Sequence, residues 1–446
     1  MANVKFIVQP GGTVKGRIRV PGDKSISHRS IMLGAIAEGV TTVTGFLEGA
    51  DALATLQAFK DMGVQIEGPD NGNVTIHGVG LRGLKKPQKP MDMGNSGTST
   101  RLLAGILAGQ DFDCELIGDA SLSKRPMKRV TDPLALMGAK IETAEGGTLP
   151  MKIYGTGGAL KAIDYTLPMA SAQVKSCVLL AGLYADGQTC ALEPAPTRDH
   201  TERMLNGFGY KVTTNKLDAS RTQACLQGGG MLSGRHIDVP SDISSAAFFM
   251  VAAAVSPGSD LVVEHVGMNP TRTGVVDILK LMGADITLEN FHEVGGEPVA
   301  DVHIKYAPLK GIDIPEELVP LAIDEFPVLF VAAAHAQGTT VLTGAEELRV
   351  KESDRIQVMA DALQAVGIDA QPTADGMVIR GGQQCPQKAP ILSHHDHRIS
   401  MAMTVAGLNA VDQVVIDDCA NVNTSFPIFL ELINQVGMQV EAVKEE

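Results

Sequence analysis

Tryptophan is absent from the 446-residue chain, and aromatic residues make up only 4% of it. With so few rings, the interior must be built from aliphatic side chains and close backbone approaches, which the 48 glycines and 19 methionines suit. The six cysteines (Cys114, Cys177, Cys190, Cys225, Cys385 and Cys419) include no CxxC pair. That spacing excludes the usual zinc frameworks and reads as buried free thiols rather than disulfides. No signal-like apolar segment opens the chain, and no apolar run is long and polar-free enough to cross a bilayer. A cytoplasmic protein is expected. Cations are the scarcer charge, 37 lysines and arginines against 51 acidic residues, for a net charge of −14. So acidic a chain suits neither a nucleic-acid backbone nor a membrane surface as partner. Any anion must be met in a local basic pocket, and small molecules are the expected partners.

What is present is enough apolar sequence, 44% of residues, for more than one domain, together with a repeat. A helix-ending apolar-glycine pair followed by a strand-like run recurs at Gly63, Gly138, Gly209, Gly283, Gly367 and Gly437. Six units fill the chain, each predicting helix, strand, helix, strand, with a further strand in most copies. Glycine supplies the left-handed residue that ends a helix, and Val, Ile and Thr runs favour the strand. One helix of each unit is amphipathic, as at 51–62 and 356–366. The other is apolar nearly all round, as at 245–255 and 326–336. A helix apolar on every face belongs inside, so sheets are expected to wrap buried helices.

The motifs fall where these apolar helices begin. In PGDKSISHRS (21–30), Asp23 or Ser25 can cap a helix whose first turn gathers Lys24, Ser25 and Arg29 around free N–H groups, the chemistry of an anion site. GNSGTSTR (94–101) lets backbone approach a ligand at Gly97. KRPMKR (124–129) packs four cations into six residues and reads as a solvated face or an anion cradle. SAQVK (171–175) offers the Ser171 hydroxyl, the Gln173 amide and the Lys175 ammonium. RDHTE (198–202) adds Arg198, and His200 as a base or a hydrogen-bonded structural residue. IDEFP (323–327) puts two carboxylates before a helix, so Asp324 is either a cap or a proton acceptor held beside cations. In LRVKESDR (348–355), Lys351 and Arg355 are four apart and so on one helix face. His394, His395, Asp396 and His397 tempt a metal reading, but neighbouring side chains cannot all converge, and no metal is expected. Charged or small-polar residues thus stand at all six apolar helix starts (Lys24, Asn95, Gln173, Ser241, Asp324 and Arg398), so that the positive helix ends converge on an anionic ligand.

These segments, with PSDISSAAF (240–248), NPTR (269–272) and DHRIS (396–400), stand in an order that resembles the 5-enolpyruvylshikimate-3-phosphate synthases over the whole chain. GDKS, SAQVK, RDHTE and NPTR resemble the second class of that family. The resemblance implies an α/β protein of two inside-out domains, each of three βαβαββ repeats around buried helices. One domain is discontinuous, residues 1–20 with 238–446, and the other spans 21–235. It implies enolpyruvyl transfer from phosphoenolpyruvate to the 5-hydroxyl of shikimate 3-phosphate without a cofactor, by a monomer. It implies that Lys24, Ser25, Arg29, Ser171, Gln173, Arg198, Asp324 and Lys351 hold shikimate 3-phosphate. Lys24, Gly97, Arg125, Gln173, Arg355 and Arg398 would hold phosphoenolpyruvate. Asp324 would be the base, and Glu352 or Lys24 the acid. Two departures stand out: first-class enzymes carry a lysine before Thr-Phe-Pro where this chain has Thr424-Ser425-Phe426-Pro427, and Gly97 replaces the alanine of glyphosate-tolerant second-class enzymes. A UDP-N-acetylglucosamine enolpyruvyl transferase shares the repeat, but this chain has no cysteine from Ala120 to Lys124, where that family's catalytic loop carries one. A non-catalytic anion-binding protein is the other alternative; binding alone would not require the carboxylates.

Overall fold

The glycine repeat is a repeat of sheets. In the computed structural model, which describes residues 3–444, the strands Met91–Asp92, Cys114–Ile117, Thr148–Tyr154 and Lys140–Ala144 form a sheet in that spatial order. The first pair is parallel and the other two antiparallel. The same order recurs in the sheets built on Val40–Thr44, Gln188–Glu193 and Val414–Asp417. In the sheet on Asp260–Gly267 the parallel neighbour is Lys15–Ile18. The sixth sheet, on Thr339–Leu342, has three strands, and its parallel neighbour is reduced to the bridges Lys310 to Gln337 and Asp313 to Val341.

Thirteen helices occupy the described residues: α1 (Lys24–Ile36), α2 (Ala50–Asp61), α3 (Gly97–Ala108), α4 (Lys128–Leu136), α5 (Ala172–Gly182), α6 (His200–Gly207), α7 (Ile243–Val255), α8 (Gly274–Leu281), α9 (Phe326–His335), α10 (Arg355–Ala365), α11 (His397–Ala406), the one-turn α12 (Val422–Ser425) and α13 (Phe429–Gln435). The apolar helices are the buried ones. Every residue of α7 except Ser245, and of α9 except His335, is buried. By contrast α8 buries one side and exposes Leu281. This is the two-fold set of inside-out α/β repeats, with helices as the core and sheets as the wall.

The chain divides into two compact units. One runs to Pro21 and resumes over Ser241–His292 and from Pro298 onward; its core is α7, α9 and α11 with their sheets. The other comprises Gly22–Pro240 with Glu293–Glu297, and α1, α3 and α5 form its core. In the first unit the N-terminal strand Val4–Gln9 lies between Val414–Asp417 and Gln439–Lys444, so a distant segment completes the last repeat. His236–Asp238 does the same for the first repeat of the second unit.

The cysteines correct one expectation. Cys190 and Cys225 lie directly opposite each other on neighbouring antiparallel strands, with Cα atoms 4.1 Å apart, and form a disulfide. Strand register, not sequence spacing, brings them together. Cys114, Cys177 and Cys419 are buried thiols, and burial pushes each up to about 12.

Candidate functional site

Each unit carries its own cluster of the side chains singled out by sequence. In the second unit, Asp23 is the cap of α1, its carboxylate accepting from the Ile26 N–H at 2.9 Å. Lys24 therefore opens the helix with its side chain half exposed and paired to Asp51 at the start of α2. One turn on, Arg29 is buried, and its guanidinium donates to Ser25 O (3.0 Å), Thr201 Oγ1 (2.8 Å) and Ser176 Oγ (3.2 Å). Burial, helped by the nearby Arg198 charge and opposed by Glu202, Asp23 and Glu297, lowers its pKa to about 10. Arg29 stays charged at neutral pH, within electrostatic reach of Arg198.

The Gly97 loop joins the same end of the unit. Ser96 caps α3 through the Ser99 N–H. Gln173 donates to Thr98 Oγ1 at 3.1 Å and accepts from Arg101 at 2.7 Å, and Arg125 donates to Asn95 Oδ1 at 3.0 Å. A Cβ on Gly97 would stand 3.1 Å from an Arg101 nitrogen and 3.3 Å from an Arg125 nitrogen. The Lys124 to Arg129 run is thus no plain solvated face: Arg125 turns to the Gly97 loop, and α4 begins only at Lys128. Ser171 caps α5, accepting from the Val174 N–H at 3.3 Å.

Sequence reasoning passed over His28. Its Nδ1 lies 2.8 Å from Thr55 Oγ1, which lies 2.5 Å from Ser99 Oγ, and so α1, α2 and the Gly97 loop are tied by one buried chain. Burial, with the Lys24 charge, pushes His28 down to about 3, so the ring is a neutral strut. His200 is likewise structural, its Nδ1 2.7 Å from Glu297 Oε1 with both side chains buried. A cavity of about 490 Å³ lies elsewhere in this unit, at the far ends of α1 and α5 beside Ile36 and Tyr184.

In the first unit the geometry is tighter. Asp324 sits in a 3₁₀ turn, Pro320–Glu325, that runs into α9; Glu325 takes the N-cap position without a side-chain cap bond. Asp324 Oδ1 lies 3.7 Å from Lys351 Nζ and 3.4 Å from Arg355 Nη1, while its carbonyl accepts from Arg398 at 3.3 Å. Arg355 also donates to Glu352 Oε2 at 2.7 Å and to Asp396 at 2.8 and 3.2 Å. Five predicted residues, Asp324, Lys351, Glu352, Arg355 and Arg398, thus share one cluster. The one-helix-face argument for Lys351 and Arg355 fails, because α10 starts at Arg355 and Lys351 lies in extended chain before it. Both reach the site because Asp324 draws them.

Asp396, noticed in the sequence only as part of a histidine run, is the centre of this cluster. It is fully buried, bonds Arg355 twice, accepts from Ser353 at 2.9 Å and caps α11 through the Arg398 N–H. Burial raises its pKa, but the Arg355 bonds outweigh this and leave it below the usual carboxylate range. Burial likewise pushes Glu352 up, and the Arg355 and Arg398 charges hold it lower still, so it is ionised at neutral pH. Glu325 goes the other way, raised by burial and by Asp324, and accepts from Ser244 at 2.5 Å. Of the histidines, His395 pairs with Asp418 and His397 is pushed down to about 4 by burial and Arg398. Among the described residues no three His, Cys, Asp or Glu side chains gather as a metal-binding group. No helix among them is long and apolar enough to cross a membrane.

Threefold sheet repeats around buried helices thus set guanidinium and ammonium groups at the helix starts, with a carboxylate held among them, an arrangement suited to anionic ligands. A family model described as EPSP synthase (3-phosphoshikimate 1-carboxyvinyltransferase) matches residues 8–433, and the chain belongs to that family. It is 77% identical over 442 residues to the 3-phosphoshikimate 1-carboxyvinyltransferase of Hydrogenovibrio crunogenus, covering 99% of each chain. To the protein of that name from Methylococcus capsulatus it is 64% identical, over 98% of this chain and 99% of that one. Among solved structures it is similar to EPSP synthase from Acinetobacter baumannii, with a TM-score of 0.92 and 60% identity over 99% of this chain and 100% of that one.

Proposed function

We propose that the chain transfers the enolpyruvyl group of phosphoenolpyruvate to the 5-hydroxyl of shikimate 3-phosphate, releasing phosphate, in the shikimate pathway to chorismate. The observation that carries this reading is the Asp324 carboxylate, 3.7 Å from Lys351 Nζ and 3.4 Å from Arg355 Nη1, with Arg398 on the same residue's carbonyl. Shikimate 3-phosphate is held by Lys24, Ser25, Arg29, Ser171, Gln173, Arg198, Asp324 and Lys351, and phosphoenolpyruvate by Lys24, Gly97, Arg125, Gln173, Arg355 and Arg398. Asp324 takes the proton as the 5-oxygen bonds to the enol carbon, and the methylene carbon gains a proton to give a tetrahedral phosphate ester. That carbon then returns a proton as the C–O bond to phosphate breaks, and the cations carry the charge that develops on the leaving group. The substrates are phosphorylated and do not leak through membranes, which suits a cytoplasmic enzyme; a monomer suffices. The test is phosphate release from phosphoenolpyruvate. It is expected to require shikimate 3-phosphate, and release without it, or none with it, refutes the reading.

Glu352 donates to the methylene after its environment changes. In the free protein Arg355 holds it ionised. Once the phosphate or carboxylate of phosphoenolpyruvate claims Arg355, Glu352 loses its counter-charge, its pKa rises and it takes up a proton. Titration calorimetry in buffers of different ionisation enthalpy is therefore expected to show uptake of about one proton on forming the ternary complex at neutral pH. Glu352→Gln abolishes that uptake; if it leaves the uptake unchanged, Glu352 is not the group loaded.

Gly97 makes a second expectation specific. The two nitrogens a Cβ would crowd are the ends of flexible side chains, so Gly97→Ala folds and narrows the ligand space. The wild type is expected to be inhibited by glyphosate in competition with phosphoenolpyruvate. Gly97→Ala is expected to raise the inhibition constant about tenfold or more, the usual worth of one misplaced methyl in a fitted site. No competition in the wild type, even at high herbicide, would refute this.

A further inference from the structure

Lys175 is the one charged residue of SAQVK, and the sequence offered it to the ligand. The structure turns it inward: its side chain is 1% exposed, and Nζ lies 3.2 Å from Glu193 Oε1 and 2.9 Å from Glu202 Oε2. These three groups come from α5, from the strand Gln188–Glu193 and from α6. Their chain neighbours are what matter. Ser176, next to Lys175, and Thr201, next to Glu202, are the two hydroxyls that seat the Arg29 guanidinium, and they bond each other at 2.7 Å. Glu193 uses its other oxygen to accept from Thr197 at 2.5 Å, the residue before Arg198. Lys175 also closes the first turn of α5, where Ser171 and Gln173 stand, its N–H bonding Ser171 O at 3.1 Å.

We propose that Lys175 is a positioning residue for shikimate 3-phosphate: its buried ammonium fixes the three segments that carry the two hydroxyls seating Arg29, the chain leading to Arg198 and the Ser171–Gln173 turn, and offsets part of the pull by which Glu202 competes with the ligand for Arg29. This rests on the function proposed above. Charge makes the second half of the argument. Lys175 is the cation paired with both Glu193 and Glu202, and all three side chains are buried. Glu202 acts electrostatically on Arg29. Without the ammonium, the buried Glu202 carboxylate loses its partner at 2.9 Å, and the Arg29 guanidinium is pulled toward it in competition with the anionic ligand. Of the groups assigned to phosphoenolpyruvate only Gln173 stands on these segments, and Lys24, Gly97, Arg125, Arg355 and Arg398 lie off them, so that substrate is the less affected.

The test measures both substrates' KM, kcat and the direct binding of shikimate 3-phosphate by calorimetry. Lys175→Met is expected to raise KM and Kd for shikimate 3-phosphate about tenfold or more, with kcat at saturation and KM for phosphoenolpyruvate changed less than about threefold. Lys175→Met with Glu202→Gln removes the competing carboxylate together with the ammonium and is expected to recover most of the lost affinity. Glu202→Gln alone leaves Lys175 paired with Glu193 and so keeps the fold even where Lys175→Met does not; removing the competing anion lowers Kd for shikimate 3-phosphate about threefold. A folded Lys175→Met with unchanged Kd, an equal rise in both KM values without rescue by the double variant, or an unchanged Kd in Glu202→Gln would each overturn the proposal. A wild type that binds no shikimate 3-phosphate would instead overturn the function reading on which it rests.

Discussion

Asp324→Asn lowers kcat by about three orders of magnitude while KM for phosphoenolpyruvate moves only a few-fold. General-base catalysis supplies about 10²–10⁴ in rate, and asparagine keeps the size and much of the hydrogen bonding while giving up the proton-accepting charge. Lys351 and Arg355, at 3.7 and 3.4 Å, lose their shared anion but keep Glu347 and Asp396 respectively, so neither is stranded. The loss therefore falls on the chemical step. Steady-state kinetics with both substrates saturating checks it, and a variant within tenfold of wild-type kcat would remove Asp324 from the role of base.

Arg355→Met has the second large effect, on stability as well as affinity. Arg355 and Asp396 are 1% and 0% exposed as side chains, and two bonds of 2.8 and 3.2 Å join them. Removing one member of a buried pair leaves an uncompensated charge, a cost of about 3–5 kcal/mol. The sign of the pH dependence follows. In the wild type the depressed Asp396 pKa stabilises the fold above the ordinary carboxylate value, and that stability is lost as pH falls through the folded value. In Arg355→Met the carboxyl is buried without its partner and its pKa rises, so the penalty is present at neutral pH and relieved by acid. Urea unfolding is expected to show a gap between the two proteins that narrows from pH 7 toward pH 4, and that Asp396→Asn in the same background partly closes. A gap independent of pH would mean that lost packing, not the unpaired carboxylate, sets the cost.

Much of this was legible in the chain. Helices such as α7, apolar on every face, required a wall of sheets, and the glycine after each helix set the period, so the repeat followed from residue chemistry. The site was legible where local chemistry is unusual: Lys24 after a capping Asp23, and Asp324 before an apolar helix. It was obscure where a side chain has two local uses. Asp324 read equally as a cap, but the chain enters α9 through a 3₁₀ turn that gives the N-cap position to Glu325 and sets the Asp324 carboxylate beside Lys351 and Arg355. Lys175 was misread as a ligand group because its partners, Glu193 and Glu202, are 18 and 27 positions on; yet a charge inside a helix buried nearly all round must be paired, and that signal was available. Asp396 was hidden among histidines, since capping and ion pairing by one carboxylate leave no pattern in sequence. The Cys190–Cys225 disulfide depends on strand register alone.

The central claim is that Asp324 takes the proton of the 5-hydroxyl while Lys24, Arg125, Arg355 and Arg398 hold the enol phosphate. A crystal structure with shikimate 3-phosphate and phosphoenolpyruvate, or a stable analogue of their adduct, tests it most directly. The account predicts the 5-oxygen within hydrogen-bond reach of the Asp324 carboxylate, with Lys24, Arg125, Arg355 and Arg398 on the enol phosphate and its carboxylate. A complex in which both ligands contact Lys24 and Arg29 while Asp324 and Arg355 touch neither would contradict it.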